Sequence, residues 1–148
     1  MNVKIVSNKQ NYNKIKEKLE KGGFSICEDS QFVFYDHTAE VNHLIGKIDQ
    51  EYEIIPINDI IYIESFSHDI FIHTEEEQYT IKEKLYQLEG MLESKGFMRA
   101  NQSTIINKQY IKRIRPTLNS KFILKMKNGA RVDITRSYYF KFKLLMNI

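Results

Sequence analysis

The sequence predicts a mainly β protein with short helices, α+β overall, and three observations support this class. Short runs along most of the chain alternate apolar and polar side chains, as half-buried strands do. Asn128-Gly129 lies between two such runs, where it is a strong signal for a hairpin turn. The clearest helical periodicity is confined to one segment, residues 82–97.

The first 40 residues predict a small strand-helix-strand-strand unit. An alternating strand is followed by a helical segment with one apolar stripe, and two short strands complete the unit. The helix is expected to be capped by Asn8 or Asn11 and to end at Gly22-Gly23.

Residues 41–50 are weakly patterned and predict a helical turn followed by a loop. A soft domain boundary is placed here, which divides the chain into residues 1–45 and residues 46–148. The first part is expected to dimerise the protein or to receive a regulatory partner.

The middle of the chain is rich in predicted strands and ends in the clearest helix. Four strands separated by polar turns are expected at Tyr52–Ile55, Ile60–Glu64, Ile70–His73 and Gln78–Ile81. The helix is expected to end at Gly96. Its apolar face consists of Leu85, Leu88, Met91 and Leu92.

Five further short strands and a last helix are predicted after residue 96. Asn128-Gly129 is expected to turn the last hairpin with positive φ at both positions. Residues 137–148 predict a short amphipathic helix that Ser137 caps.

Charge is distributed unevenly along the chain. The net charge is only +3, yet residues 1–96 hold 10 Lys and Arg against 18 Asp and Glu, whereas residues 97–148 hold 12 against one. The cations of the second half alternate with apolar residues, so they belong on folded elements. This asymmetry indicates a polyanionic partner for the basic half, or a solvated basic surface that the acidic half compensates.

Composition and motifs argue against several classes of protein. The single cysteine, Cys27, is expected to be a small buried hydrophobe in a reduced, cytoplasmic setting. We expect no signal peptide, because no N-terminal stretch combines a basic start with an apolar core, and no membrane-spanning segment, because no apolar run approaches about 18 residues. The sequence has no glycine-rich phosphate loop after a strand and no Gly-x-Ser-x-Gly elbow.

The histidines do not predict a metal site. His37, His43, His68 and His73 lack the tight spacing of metal ligands. The three glutamates at 75–77 lie in a predicted turn, where solvated charge explains them. We therefore expect a protein that is not an enzyme, with no catalytic residue, no metal, no cofactor and no small-molecule substrate.

Polar residues that suit base recognition fall in predicted turns. Asn101 and Gln102 precede a buried strand, His68 lies in the turn at 65–69, and Arg136 follows the last strand. In the major groove Arg pairs with guanine, and Asn or Gln pairs with adenine. Because no helix-turn-helix, zinc-finger or basic-heptad pattern occurs, DNA is expected to be read by loops on a β scaffold.

The same segments resemble the LytTR family of bacterial DNA-binding domains over about residues 50–148. The resemblance rests on "IPINDIIYIES", on "GFMRANQSTIIN" and on the closing "KMKNGARVDITRSYYFKFKLLM". It implies a LytTR-type elongated arrangement of three antiparallel sheets, preceded by the small N-terminal unit. It also implies a transcription regulator whose loops enter successive major grooves of double-stranded DNA, often bending it.

The resemblance assigns roles to individual residues. The base-reading positions fall on His68, Gln102 and Arg136. Positions that contact the DNA backbone fall on or near Ser67, Arg99, Asn101, Ser103 and Ser137, and Arg113 is expected to neutralise a phosphate, as are Lys112 and Arg115.

Two positions depart from the family pattern. Asp69 stands where some members carry a cation, and it would repel phosphate. Gln102 stands where related members carry Lys, Arg or Asn, so the target sequence of the family does not transfer.

Each assignment has a structural alternative. His68 could bond the backbone of its own turn, Arg136 could pair with Asp133 or Glu64, and the cations at 112–115 could protect an edge strand. Asn107 is expected to tie the backbone after its strand. For the whole protein, the alternative is a protein-interaction module whose acidic N-terminal half docks a regulatory partner.

Overall fold

A computed structural model describes residues 1–36 and 41–148, which divide into two compact units, Met1–Val41 and Asn42–Ile148. His37 lies outside the described residues. None of the helices that the structure describes has the length and apolar character needed to span a bilayer.

The first unit is a three-stranded parallel sheet with one helix. Strand β1 (Asn2–Val6) pairs in parallel with β2 (Ser25–Ile26) on one side and with β3 (Val33–Tyr35) on the other. Helix α1 (Lys9–Lys21) connects β1 to β2, because parallel neighbours need a crossover connection. The predicted order of strand, helix, strand and strand is confirmed.

The ends of α1 follow from its flanking residues. Asn8 is the N-cap, and its side-chain oxygen accepts a hydrogen bond from the N–H of Asn11 at 2.9 Å. Gly22 is the C-cap, and Gly23 follows with φ +89°, a conformation that suits glycine. Cys27, expected to be buried, is only half-buried.

The second unit is built on two antiparallel sheets. The strands of the larger sheet are β4 (His43–Ile48), β5 (Glu51–Pro56), β6 (Tyr62–Phe66), β7 (Asp69–His73), β8 (Gln78–Ile81), β9 (Phe97–Asn101) and β10 (Thr104–Asn107). Their order across the sheet is β5-β4-β8-β7-β6-β10-β9. The smaller sheet consists of β11 (Ile111–Pro116), β12 (Phe122–Met126) and β13 (Arg131–Ile134), in that order.

Helices connect and cover these sheets. Helix α2 (Leu85–Leu92) precedes β9, and α3 (Tyr139–Met146) follows β13. Short 3-10 turns lie at Ile57–Asp59, Glu93–Lys95, Lys108–Tyr110 and Arg136–Tyr138. Gly96 ends the helical segment with φ +86°, as predicted.

Two neighbouring strands of the larger sheet, β4 and β8, are only weakly paired. Strands β4 and β8 share a single bridged pair, Lys47 with Thr80, whereas the other neighbours in the sheet pair over at least three residues. The β4–β5 hairpin is therefore nearly a separate sheet. This accounts for the difference between the two sheets found and the three that the resemblance implied.

Strand β4 corrects the prediction of a helical turn and loop at 41–50. Gly46 sits in the middle of this strand, where an added Cβ would lie 2.8 Å from the Cβ of Tyr79. Asp49-Gln50, with φ values of 50° and 66°, then turns the chain into β5. The predicted domain boundary between residues 45 and 46 falls inside β4, and the compact units part between Val41 and Asn42.

Two apolar layers enclose β9 and β10. On one face, α2 packs with three buried leucines of the predicted stripe: Leu85, Leu88 and Leu92. On the other face, the smaller sheet and Phe142 of α3 form a core with residues of the larger sheet. That core contains Ile61, Met98, Ala100, Ile106, Phe122, Leu124, Met126, Val132, Ile134 and Phe142. This packing brings the end of β13 beside β9.

Two local predictions about the last part of the chain are wrong. The β12–β13 hairpin exists, but Gly129 has positive φ (+90°) and Asn128 does not, so the loop has three residues with glycine in the left-handed position. Ser137 does not cap the last helix. It lies within the 3-10 turn, and α3 begins at Tyr139.

Candidate nucleic-acid interface

Three turns of the second unit carry the residues predicted to read bases. Ser67-His68 joins β6 to β7, and Gln102-Ser103 joins β9 to β10. Arg136 begins the 3-10 turn that follows β13. The side chains of His68, Gln102 and Arg136 are all exposed.

A backbone hydrogen bond links the first two turns. The N–H of Ser65, near the end of β6, donates to the carbonyl oxygen of Ser103 at 2.8 Å. Strands β6 and β10 are also paired from Thr104 onward. The turn with His68 and the turn with Gln102 therefore extend from adjacent strands of one sheet.

Two hydrogen bonds link the second turn to the third. The Asn101 amide donates from Nδ2 to the carbonyl oxygen of Asp133 at 2.8 Å. The N–H of Thr135 donates to the carbonyl oxygen of Ala100 at 3.1 Å. Because Thr135 precedes Arg136, the structure brings all three predicted reading residues onto neighbouring turns.

The Ser67-His68 turn has an unusual backbone. Its two residues have φ values of 48° and 74°, and Phe66 pairs with Asp69 across the turn. Positive φ at both central positions is the pattern of a type I′ hairpin turn, in which glycine and asparagine are preferred. Neither residue is glycine, so the turn holds an uncommon conformation. The His68 imidazole makes no hydrogen bond to any residue that the structure describes.

Asn101 is the central support of the second turn. Its Oδ1 accepts hydrogen bonds from the N–H of Ser103 at 2.9 Å and from Ser103 Oγ at 3.0 Å. Its Nδ2 is used by the bond to Asp133. An Asn side chain that bonds the backbone two residues later forms an Asx turn, which fixes the shape of the bend.

Arg99 also stabilises the Gln102-Ser103 turn, through hydrogen bonds to its backbone. Its Nε donates to the carbonyl oxygen of Asn101 at 3.1 Å, and its Nη2 donates to the carbonyl oxygen of Gln102 at 2.6 Å. Its Nη1 lies 3.5 Å from a carboxylate oxygen of Glu89 on α2. The side chain is 14% exposed. The expected contact of Arg99 with the DNA backbone stays a prediction, and the structure adds a role inside the chain that sequence reasoning missed.

Arg136 has no ion pair within the part of the chain that the structure describes. The two acids considered as its partners are engaged elsewhere. Asp133 Oδ1 lies 3.1 Å from Arg131 Nε, and Glu64 Oε1 lies 2.8 Å from His73 Nε2. The guanidinium of Arg136 is thus available to a ligand.

Asn107 has the structural role that the sequence predicted. Its side chain is buried, its Nδ2 donates to the carbonyl oxygen of Ile60 at 2.8 Å, and its Oδ1 accepts from the N–H of Gln109 at 3.0 Å. Ile105 and Ile106 are fully buried beside it. These contacts anchor β10, and with it the turn that carries Gln102.

Exposed cations lie on all three strands of the smaller sheet. Lys112, Arg113 and Arg115 lie on β11, which is an edge strand. Lys125 and Arg131, which sequence reasoning did not select, are exposed on β12 and β13. Their alternation with buried Leu124, Met126 and Val132 was the signal that could have found them. Among the described residues, no cluster of His, Cys, Asp and Glu could hold a metal ion.

The fold defines a β-rich domain with short helices and with exposed polar side chains on neighbouring turns. The chain belongs to the LytTR DNA-binding domain family, whose profile matches residues 50–147. A solved LytTR DNA-binding domain from Bacillus cereus has a TM-score of 0.70 and 29% identity, and the match covers 74% of this chain and 100% of that one.

Longer proteins contain the same region. The sensory transduction protein LytT of Bacillus anthracis is 34% identical over 113 residues, which is 76% of this chain and 46% of LytT. LytT of Bacillus subtilis is 31% identical over 132 residues, 89% of this chain and 53% of that protein. The transcriptional regulatory protein YpdB of Escherichia coli K12 is 30% identical over 101 residues, 68% of this chain and 41% of YpdB. The chain thus spans about half the length of these relatives.

Proposed function

We propose that the protein is a bacterial transcription regulator that binds double-stranded DNA sequence-specifically, with its turns inserted in successive major grooves. The observation that supports this most is the adjacency of the three turns, each with an exposed polar side chain at its tip. A cytoplasmic location and the lack of enzymatic activity belong to the same proposal.

The chemistry of the three side chains suggests their roles. The guanidinium of Arg136 can donate two parallel bonds to O6 and N7 of guanine, and the amide of Gln102 can bond N6 and N7 of adenine. The His68 imidazole can make one bond to a base edge.

Neighbouring groups would hold the DNA backbone. The hydroxyls of Ser67, Ser103 and Ser137 lie on the same turns and are exposed. Arg113 supplies a cation for a phosphate. Arg99 and Asn101 are assigned to the DNA backbone as well, in addition to the bonds by which they support the Gln102 turn.

The compact first unit suggests a second function within the same protein. Met1–Val41 forms its own sheet and helix. We propose that residues 1–45 mediate homodimerisation or receive a regulatory protein partner. Analytical ultracentrifugation of the full chain, alone and with a DNA site, tests the dimer: a monomer in both samples would leave only the partner role.

Selection from a random-sequence DNA library with the full chain tests the main proposal. We expect one preferred site to be enriched, with protected positions in successive major grooves on one side of the duplex. A matched selection with Arg136→Ala and Gln102→Ala combined should fail to enrich that site. Recovery of unrelated sequences by the unaltered protein would favour the protein-interaction module instead.

A further inference from the structure

A row of three cations crosses the outer face of the smaller sheet. Arg113 on β11 lies directly opposite Lys125 on β12, and Lys125 lies directly opposite Arg131 on β13. All three side chains are exposed. Arg115 lies on the same face, opposite Ile123. We call Arg113, Lys125 and Arg131 the cation row.

The cation row is poorly balanced by nearby acids. Within the described part of the smaller sheet, Asp133 is the acid on this face, and its carboxylate lies 3.1 Å from Arg131 Nε. Directly opposite residues on paired strands have Cβ atoms about 4.5–5.5 Å apart, and like charges at that spacing destabilise a sheet. The inner face of the same strands is apolar and well packed, so the row contributes nothing to the core. Such an arrangement indicates a surface that binds an anion.

The position of the row favours DNA as that anion. Strand β13 continues from Arg131 toward Arg136, and five residues of extended chain span at most about 18 Å. Phosphates along one DNA strand advance 3.4 Å per base pair along the helix axis, so this distance corresponds to about five base pairs. Arginine side chains, which supply two of the three cations, match the geometry of phosphate oxygens with a planar fork.

We infer that the cation row binds backbone phosphates of duplex DNA flanking the site that the three turns read. This inference rests on the proposed function, because it places the row beside a base pair contacted by Arg136. It extends the contact with DNA from Arg113, an edge-strand residue, to the whole outer face of the smaller sheet. The bound species is the phosphate backbone, so this contact is independent of base sequence.

The test measures how the affinity for DNA depends on the length of the duplex and on the charge of the cation row. The enriched site is prepared as a duplex that ends at the protected bases, and as duplexes extended by ten base pairs on either end. Binding is measured with the full chain and with a variant that combines Arg113→Gln, Lys125→Gln and Arg131→Gln. The matched lysine control combines Lys82→Gln, Lys84→Gln and Lys95→Gln, which removes three exposed cations that flank α2 in the second unit.

The expected affinities separate the row variant from the unaltered chain and from the control. The unaltered chain and the lysine control should gain about tenfold in affinity or more from extension on one end in 50 mM salt, and the row variant should gain nothing. On the extended duplex, the slope of log K against log salt should be less steep by about two to three units for the row variant. Each lost phosphate contact removes about 0.9 from the steepness of the slope. The ratio of selected-site to random-sequence affinity should be unchanged, since the row reads no base.

Other results would overturn the inference. A row variant that gains as much from extension as the unaltered chain, or keeps its salt slope, would assign the row to a different partner, such as an acidic protein. Failure of the proposed function would look different, because the unaltered chain would then bind selected and random duplexes equally. The row side chains are exposed, so the variant should unfold at a temperature no lower than the unaltered chain. If it does not fold, Lys125→Gln alone is measured, and its slope of log K against log salt should be shallower by about one unit.

Discussion

At the scale of single residues, the candidate interface separates side chains that point to solvent from side chains that hold the turns. His68, Gln102 and Arg136 are exposed at the tips of the turns. Arg99 and Asn101 use their polar groups on backbone atoms of the same region. The first kind is suited to recognition and the second to positioning, and two substitutions can distinguish them.

Arg136→Ala should weaken a base preference without disturbing the fold. Loss of a two-bond contact with guanine should cost about 1–3 kcal/mol on the selected site and broaden the preference at that base pair. Arg113→Ala is the matched control, because a phosphate contact should weaken all sequences equally. The measurement is the ratio of selected-site to random-sequence affinity by titration. An Arg136→Ala protein that folds normally and keeps this ratio would refute base reading.

Arg99→Lys should fail to replace Arg99. Lysine keeps the positive charge but lacks the planar fork that bonds the carbonyl oxygens of Asn101 and Gln102. We expect Arg99→Lys and Arg99→Ala both to lower the free energy of unfolding by about 1–3 kcal/mol, because the hydrogen bonds that the charged guanidinium donates to two backbone carbonyl oxygens are lost or weakened. Both should also weaken the preference at the base read by Gln102. Full rescue of binding and stability by lysine would mean that Arg99 acts only as a charge near phosphate.

At the scale of elements, side-chain periodicity located most strands and the main helix. The predicted strand runs placed β5 to β13 nearly at their observed positions, and the leucine stripe gave α2. Strand β4 was missed because Gly46 occupies an inward position where an apolar residue was expected. The turn after it, Asp49-Gln50, has positive φ without glycine, so the sequence carried no Asn-Gly or Asp-Gly signal for a hairpin.

The interface was predictable only in part for a related reason. Exposed polar residues in turns are visible in the sequence, whereas the bonds that support them join residues far apart along the chain. Asn101 and Asp133 are 32 positions apart, and Arg99 and Glu89 are 10 apart. Nothing local to Asn101 distinguishes a residue that supports a turn from a residue that contacts DNA. The pairing of strands decides between these roles.

Gly46→Ala should destabilise the second unit. The new Cβ would lie 2.8 Å from the Cβ of Tyr79, which is closer than two carbon atoms normally approach. Overpacking of this kind typically costs about 1–3 kcal/mol. Thermal unfolding of the full chain measures the change, and Gly129→Ala serves as a contrast because it adds strain at positive φ (+90°) without a steric contact within 4 Å. An unchanged unfolding temperature for Gly46→Ala would show that β5 and β8 move apart easily.

At the scale of the whole molecule, the basic part of the chain includes the whole smaller sheet. The acidic residues are concentrated before residue 97, and every described strand of the smaller sheet lies in the basic part of the chain. A net charge of +3 therefore understates the field near the candidate interface. The salt dependence of DNA binding reports on that field directly.

The affinity for duplex DNA should fall steeply with salt. With roughly six phosphate contacts, log K against log salt should have a slope of about −5. Titrations of the selected site between 50 and 200 mM salt measure this slope, and a random-sequence duplex of equal length is the control. A slope near zero would contradict an interface made with the DNA backbone.

The hydrogen bonds that connect the three turns also bear on the mechanics of the DNA. Because Ser65 bonds Ser103 and Asn101 bonds Asp133, the spacing of the turns is fixed by the sheets of the protein. A duplex that contacts all three turns must match the spacing of its grooves to the spacing of the turns. Any curvature that this requires is a deformation of the DNA and not of the protein. Bending a site of 20–30 base pairs by 40–90° costs on the order of 1–6 kcal/mol. Flexible TA or CA steps between the contacted bases should therefore strengthen binding, even where no side chain touches them.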